Sequence, residues 1–116
     1  MTTHTKTTED RDNIDQIAGV LLSRGELFHG GDAWAAAREW HGYGFAPHGV
    51  HQWCADGVWD ASVADYLYEA GMTPRTTRAA ADEMAATGDY AIGCPIYDCC
   101  NGKIHPRRIV EFWRAL

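Results

Sequence analysis

Residues 44–74 read GFAPHGVHQWCADGVWDASVADYLYEAGMTP and carry the pattern that decides the fold. Three successive modules each open with glycine, followed by an apolar residue, one spacer and a residue that starts a helix: Gly44-Phe45-Ala46-Pro47, Gly57-Val58-Trp59-Asp60 and Gly71-Met72-Thr73-Pro74. The glycines lie thirteen and fourteen residues apart, and Val50 and Val63 each stand six residues after theirs. Glycine ends helices in the left-handed conformation, while proline or a capping side chain begins them. The spacing therefore predicts short helices that are stable only when packed on one another.

Helical periodicity continues on both sides of these modules. A first helix is predicted from Asp12 to a glycine cap at Gly25, a second from the N-cap Asp32 to Gly42, and a last one from Pro106. Their apolar residues recur at helical spacing: Ile14, Ile17, Val20 and Leu21 in the first, Trp34, Ala37 and Trp40 in the second, and Ile109, Phe112, Trp113 and Leu116 in the last.

Residues 90–105 differ in character and predict a small β element. The segments 90–92 and 95–97 are β-prone, and Asn101-Gly102 is a dipeptide that two-residue hairpin turns prefer. The predicted fold class is therefore mostly α, a bundle of five or six short helices with a small C-terminal β-hairpin. Residues 1–10 carry almost no apolar side chains and are predicted to be a disordered leader before a single helical domain over residues 11–116.

The composition is that of an acidic globular protein. The net charge of -6 is concentrated in residues 1–70, which hold eleven acidic and four basic residues, whereas residues 71–116 carry a net charge of +1. An acidic body disfavours general phosphate binding and favours a protein partner with a basic surface. Because no stretch has the apolar length of a membrane helix and no signal pattern opens the chain, we expect a cytoplasmic protein without a membrane partner.

Cysteine and histidine side chains are the candidates for chemistry. Cys94, Cys99, Cys100 and His105 fall within twelve residues, but gaps of four, none and four residues lack the paired knuckles of zinc sites. Thiol catalysis would need a base such as His105 within hydrogen-bond reach of a thiolate, and buried reduced thiols are the simpler interpretation. We therefore expect no metal, no cofactor and no enzymatic activity.

Two surfaces are candidates for binding. Acidic and aromatic side chains are interleaved around the predicted helix at residues 60–70: Asp56, Trp59, Asp60, Asp65, Tyr68 and Glu69. Tyrosine and tryptophan anchor interfaces and carboxylates accept hydrogen bonds from arginine, so this set predicts binding to a basic protein surface. The alternative is a helix-turn-helix-like DNA-binding regulator over residues 63–85, with Arg75, Thr76 and Arg78 at the start of its recognition helix. Either reading leaves the oligomeric state open.

The module starts at residues 44–47 and 71–74 resemble those of small accessory proteins carried by plasmids and phages. Anti-CRISPR inhibitors are among these proteins, and they are typically small, acidic, non-enzymatic and directed at basic surfaces of a host nuclease complex. The resemblance covers residues 44–88 and is one of composition rather than motif, so it transfers no site residue. It implies a stoichiometric inhibitor or adaptor.

Overall fold

The computed structural model describes residues 2–24, 32–88, 90 and 93–116, with the backbone alone for residues 2–9. Seven helices make up most of this part: α1 (Thr2–Ser23), α2 (Ala33–Gly42), α3 (Pro47–Ala55), α4 (Ala61–Glu69), α5 (Pro74–Thr87), α6 (Pro95–Cys100) and α7 (Arg107–Ala115). No described residue lies in a β-strand. The mostly helical fold class is confirmed, the described residues hold seven helices where five or six were predicted, and the predicted hairpin is wrong.

The three glycine modules form as the sequence predicts. Gly44, Gly57 and Gly71 have φ values of 95°, 96° and 93°, in the left-handed region that side chains with a Cβ rarely adopt. Each glycine precedes by three residues the proline or capping aspartate at which the next helix begins. The glycines therefore end one helix and set the direction of the next.

Backbone hydrogen bonds show how these glycines end a helix. The N–H of Gly71 donates to the carbonyl of Tyr68 at 2.9 Å, and the N–H of Met72 donates to the carbonyl of Leu67 at 3.0 Å. This pair of bonds is the Schellman motif, which satisfies carbonyls that the helix itself leaves unpaired. Met72 is buried directly after the glycine, so the turn also returns an apolar side chain to the core.

The segment predicted as a hairpin ends a helix by the same device. Asn101 has a φ of -92° and Gly102 a φ of 76°. The N–H of Gly102 donates to the carbonyl of Cys99 at 3.0 Å, and the N–H of Lys103 donates to the carbonyl of Asp98 at 2.8 Å. A type I′ hairpin turn needs positive φ at both central residues. Asn101-Gly102 is instead the end of α6 in a Schellman motif, which is why the strand prediction fails.

The short helix α6 contains one of the two segments predicted as β-prone, residues 95–97. Pro95 lies in its first turn, where the missing N–H costs no hydrogen bond, and Ile96 is buried while Tyr97 is 45% exposed. Of the other β-prone residues, Ala91 and Ile92 lie outside the described residues.

The described helices group into two compact units, one up to Cys54 and the other from Ala55 onward. In the first unit α1 packs along α2, and their buried side chains include Ile17, Leu21 and Trp40. In the second unit α5 packs against α6 and α7, and α4 packs against α7. None of the described helices has both the length and the apolar character that a bilayer crossing requires.

The predictions for the ends of the first, second and last helices agree with the structure at some positions and differ at others. The Asp32 carboxylate caps α2 by accepting from the N–H groups of Trp34 and Ala35 at 3.0 and 3.2 Å, as predicted. Helix α1 already begins at Thr2, within the residues predicted as a leader, whereas the predicted cap Gly25 lies outside the described residues. Leu116, expected to pack inward from the last helix, is 73% exposed. The single domain over residues 11–116 stays a prediction.

Candidate functional site

The candidate site is built on α4, which begins at a strong N-cap. Oδ1 of Asp60 accepts hydrogen bonds from the N–H groups of Ser62 at 2.9 Å and Val63 at 3.2 Å, and from the Ser62 hydroxyl. One face of the helix is buried through Ala61, Val63, Ala64 and Leu67. Periodicity then leaves the opposite face to solvent.

Four residues on that opposite face form what we call the acidic stripe: Ser62, Asp65, Tyr66 and Glu69. They stand at positions i, i+3, i+4 and i+7, so they follow one another along one side of the helix. Tyr66 is 39% exposed, Ser62 and Glu69 are exposed, and Asp65 is half-buried. The stripe thus presents two carboxylates on either side of a phenol ring.

The structure separates the six residues that the sequence analysis grouped. Asp65 and Glu69 lie in the acidic stripe, and Tyr68 is 61% exposed about a quarter-turn away from Glu69. The Asp60 carboxylate is committed to the N-cap, which gives it a structural role. Asp56 and Trp59 are half-buried in the connection between α3 and α4.

Tyr66 was missed by the sequence analysis although it lies at the centre of the stripe. Its position one residue after Asp65 and three before Glu69 is the signal that helical spacing offers. Its ring also meets the ring of His105 edge to face, with the centroids 4.8 Å apart. Tyr66 therefore links α4 to the segment before α7.

The stripe carboxylates are not neutralised within the described part of the protein. A carboxylate–imidazole contact there joins Asp10 to His41 at 3.0 Å and an ion pair joins Arg78 to Asp82 at 3.5 Å, and neither involves Asp65 or Glu69. The sequence from residue 55 to residue 70 contains four acidic residues and no lysine or arginine. A cation would have to come from outside this segment, which suits a basic partner surface.

The alternative DNA-binding surface has the lengths of a helix-turn-helix but not its side chains. Helices α4 and α5 are joined by residues 70–73, and Arg75 is exposed near the start of α5. Thr76 is occupied by a capping box, because its hydroxyl accepts from the N–H of Thr73 at 2.8 Å. Asp82 shares the outer face with Arg75 and Arg78 and pairs with Arg78, so a carboxylate lies where phosphates would approach.

Two of the three clustered cysteines, Cys99 and Cys100, are buried. Burial raises the pKa of Cys99 to about 12 and that of Cys100 to about 11, so both are thiols at neutral pH. Cys94 is exposed at the start of α6. Among the described residues, no three His, Cys, Asp or Glu side chains come together in a way that would hold a metal ion.

Comparisons with protein-family models, with curated proteins and with solved structures find no match to this chain. The function proposed below therefore depends on the chemistry of the surfaces just described.

Proposed function

We propose that the chain is a non-enzymatic protein-binding inhibitor or adaptor whose acidic stripe docks on a basic partner surface. The observation that carries the proposal is the position of Asp65, Tyr66 and Glu69 together on one face of a helix whose opposite face is buried, with Tyr66 and Glu69 exposed and Asp65 half-buried. Carboxylates accept bidentate hydrogen bonds from arginine, and tyrosine supplies contact area with little loss of conformational freedom. Their backbone is already ordered in helix α4, which limits the conformational entropy lost on binding.

Charge reversal tests this proposal directly. The double variant Asp65→Lys with Glu69→Lys should lower affinity for partners isolated with the tagged wild-type protein by about 2 kcal/mol or more, roughly thirtyfold. The matched control is Glu83→Lys with Glu111→Lys, which changes the net charge equally at exposed positions on α5 and α7. If calorimetry shows equal losses of affinity in the two double variants, binding depends on net charge alone and the acidic stripe is not the docking site.

The more specific form of the proposal is inhibition of a CRISPR nuclease complex, which the sequence resemblance implies. Its test is cleavage of target DNA by guide-loaded nuclease with increasing amounts of the chain. Inhibition should be complete near one equivalent and absent with the Asp65→Lys, Glu69→Lys variant. If neither protein inhibits, the nuclease target is excluded and the general binding proposal is judged by the affinity measurements alone.

DNA binding is kept as the second candidate, because the helix lengths around residues 70–73 favour it. Under that hypothesis Arg75→Ala with Arg78→Ala should abolish a gel shift of duplex DNA and flatten its salt dependence by about one unit of slope for each phosphate that an arginine no longer neutralises. The acidic-stripe proposal expects no shift at moderate salt. A salt-dependent gel shift of duplex DNA that requires these arginines would favour DNA binding over the acidic-stripe proposal.

A further inference from the structure

A groove in the second unit shares part of its wall, Ser62 and Tyr66, with the acidic stripe. It has a volume of about 400 Å³ and is open to solvent, and its lining includes Ser62, Tyr66, Cys99, Lys103, Ile104 and His105. Tyr66 belongs to both the stripe and the groove. Ile104 is half-buried, and Val63 and Pro106 form buried apolar parts of the lining.

His105 makes a hydrogen bond to the backbone at the edge of this groove. Its Nδ1 accepts a hydrogen bond from the N–H of Arg107 at 3.0 Å, near the start of α7. A neutral imidazole that accepts at one nitrogen carries its proton on the other. His105 therefore offers Nε2–H as a donor, while Tyr66 packs against its ring at a centroid distance of 4.8 Å.

The charge of the groove is opposite to that of the stripe. Lys103 is its only lysine or arginine, it contains no aspartate or glutamate, and Lys103 and His105 are both exposed. Two lining residues, Ser62 and Val63, are bonded to the carboxylate of Asp60, which accepts from their N–H groups and from the Ser62 hydroxyl in the N-cap. Lys103 and His105 are thus donors without a competing acid in the groove wall.

We propose that this groove binds a carboxylate of the protein partner, with an apolar side chain of the same segment resting against Tyr66 and Ile104. The Lys103 ammonium and the His105 Nε2–H supply the two donors, and charge-assisted bonds of this kind are stronger than neutral ones. The inference rests on the proposed function, because the groove continues the acidic stripe. It specifies the partner as a surface on which one acidic residue stands beside a basic patch.

The groove is tested without the partner by small capped peptides. Acetyl-Phe-Asp-amide should shift the NMR signals of Tyr66, Lys103 and His105 in a saturable way, whereas acetyl-Phe-Asn-amide, which lacks the charge, should bind at least fivefold more weakly. Acetyl-phenylalanine with a free carboxyl terminus distinguishes a terminal carboxylate from a side-chain one. Equal binding of the Asp and Asn peptides, or equally tight binding of inorganic phosphate at the same residues, would overturn the proposal.

Three variants separate the two donors from general charge effects. Lys103→Gln should weaken binding of the Asp peptide at least fivefold. Arg114→Gln is an equal charge change at an exposed position of α7 outside the groove, and it should leave the affinity for this peptide unchanged. His105→Asn keeps an acceptor for the Arg107 N–H but removes the Nε2 donor, so it should weaken binding of the Asp peptide. Because it also removes the ring contact with Tyr66, a small fall in the thermal midpoint is expected and is measured alongside. If Arg114→Gln lowers the affinity for the Asp peptide as much as Lys103→Gln does, the groove proposal is contradicted. If these peptide experiments fail while the Asp65→Lys, Glu69→Lys variant still loses affinity for the partner, the groove proposal is rejected and the acidic-stripe proposal stands.

Discussion

The helices that end at Gly71 and Gly102 close with the same pair of backbone hydrogen bonds, but they are held in different ways. Helix α4 has nine residues, a capping aspartate with three hydrogen bonds, and four buried side chains on one face. Helix α6 has six residues, four of them buried, and no side-chain hydrogen bond from its N-cap residue, Cys94. Helices this short are not stable in isolation, so α6 depends on its packing against α5, whereas α4 is specified locally as well.

The largest effect should come from the buried face of α4. Leu67 is fully buried, so Leu67→Ala should lower the free energy of unfolding by about 2–5 kcal/mol through lost burial and the cavity that remains. The control Glu69→Ala removes an exposed side chain two residues away and should change it by less than about 0.5 kcal/mol. Urea unfolding followed by circular dichroism measures both, and similar losses would show that α4 is not held by this face.

The two helix ends are compared directly by one substitution. Gly71→Ala and Gly102→Ala each place a Cβ at positive φ with no atom within 4 Å of it, so each should cost about 1–2 kcal/mol through backbone strain alone. Gly19→Ala lies inside α1 with similar space and should instead stabilise by about 0.5–1 kcal/mol. A loss at Gly71 without one at Gly102 would mean that the second turn is not a Schellman motif.

The third glycine module differs from the other two by a polar residue at a buried position. Thr77 stands six residues after Gly71, where Val50 and Val63 stand in the other two modules, and all three are buried. The Thr77 hydroxyl has no hydrogen-bond partner among the described residues. Thr77→Val should therefore stabilise by about 1 kcal/mol, while Val63→Thr should destabilise by a similar amount. A destabilised Thr77→Val protein would show that the hydroxyl does have a partner.

How much was predictable differs between the two regions for a physical reason. In α4 the start signal, the stop signal and the apolar period agree, so the sequence alone places the helix and the carboxylates Asp65 and Glu69. At Asn101-Gly102 the same dipeptide suits a hairpin turn or a helix end, and no capping residue at Cys94 decides between them. The proximity of Tyr66 to His105 comes from the packing of α4 on α7, which no local pattern encodes.

Alkaline titration should weaken the second region. The hydrogen bond that Tyr90 donates to Asp98 raises the pKa of Tyr90 from 10.0 to about 12, and burial raises that of Cys99 from 9.0 to about 12. The folded state favours both neutral forms, so their contribution to stability is complete below about pH 9 and is lost as the pH rises to about 12. Tyr90→Phe should flatten the decline of the thermal midpoint between pH 10 and pH 12. Gly19→Ala should keep the wild-type slope, and an unchanged slope in Tyr90→Phe would exclude the Tyr90 contribution.

The smallest expected effect is the most decisive for residues 101–102. In a type I′ hairpin both central residues need positive φ, so replacing the asparagine with alanine would cost about as much as replacing the glycine. Asn101 instead has a φ of -92°, which alanine adopts without strain, and its side chain makes one exposed hydrogen bond to the Tyr97 carbonyl at 3.0 Å. Asn101→Ala should therefore lower the free energy of unfolding by less than about 0.5 kcal/mol, against about 1–2 kcal/mol for Gly102→Ala. Equal losses in the two variants, measured by urea unfolding under the same conditions, would favour the hairpin, whereas the expected asymmetry follows only when the residue before the glycine has a negative φ.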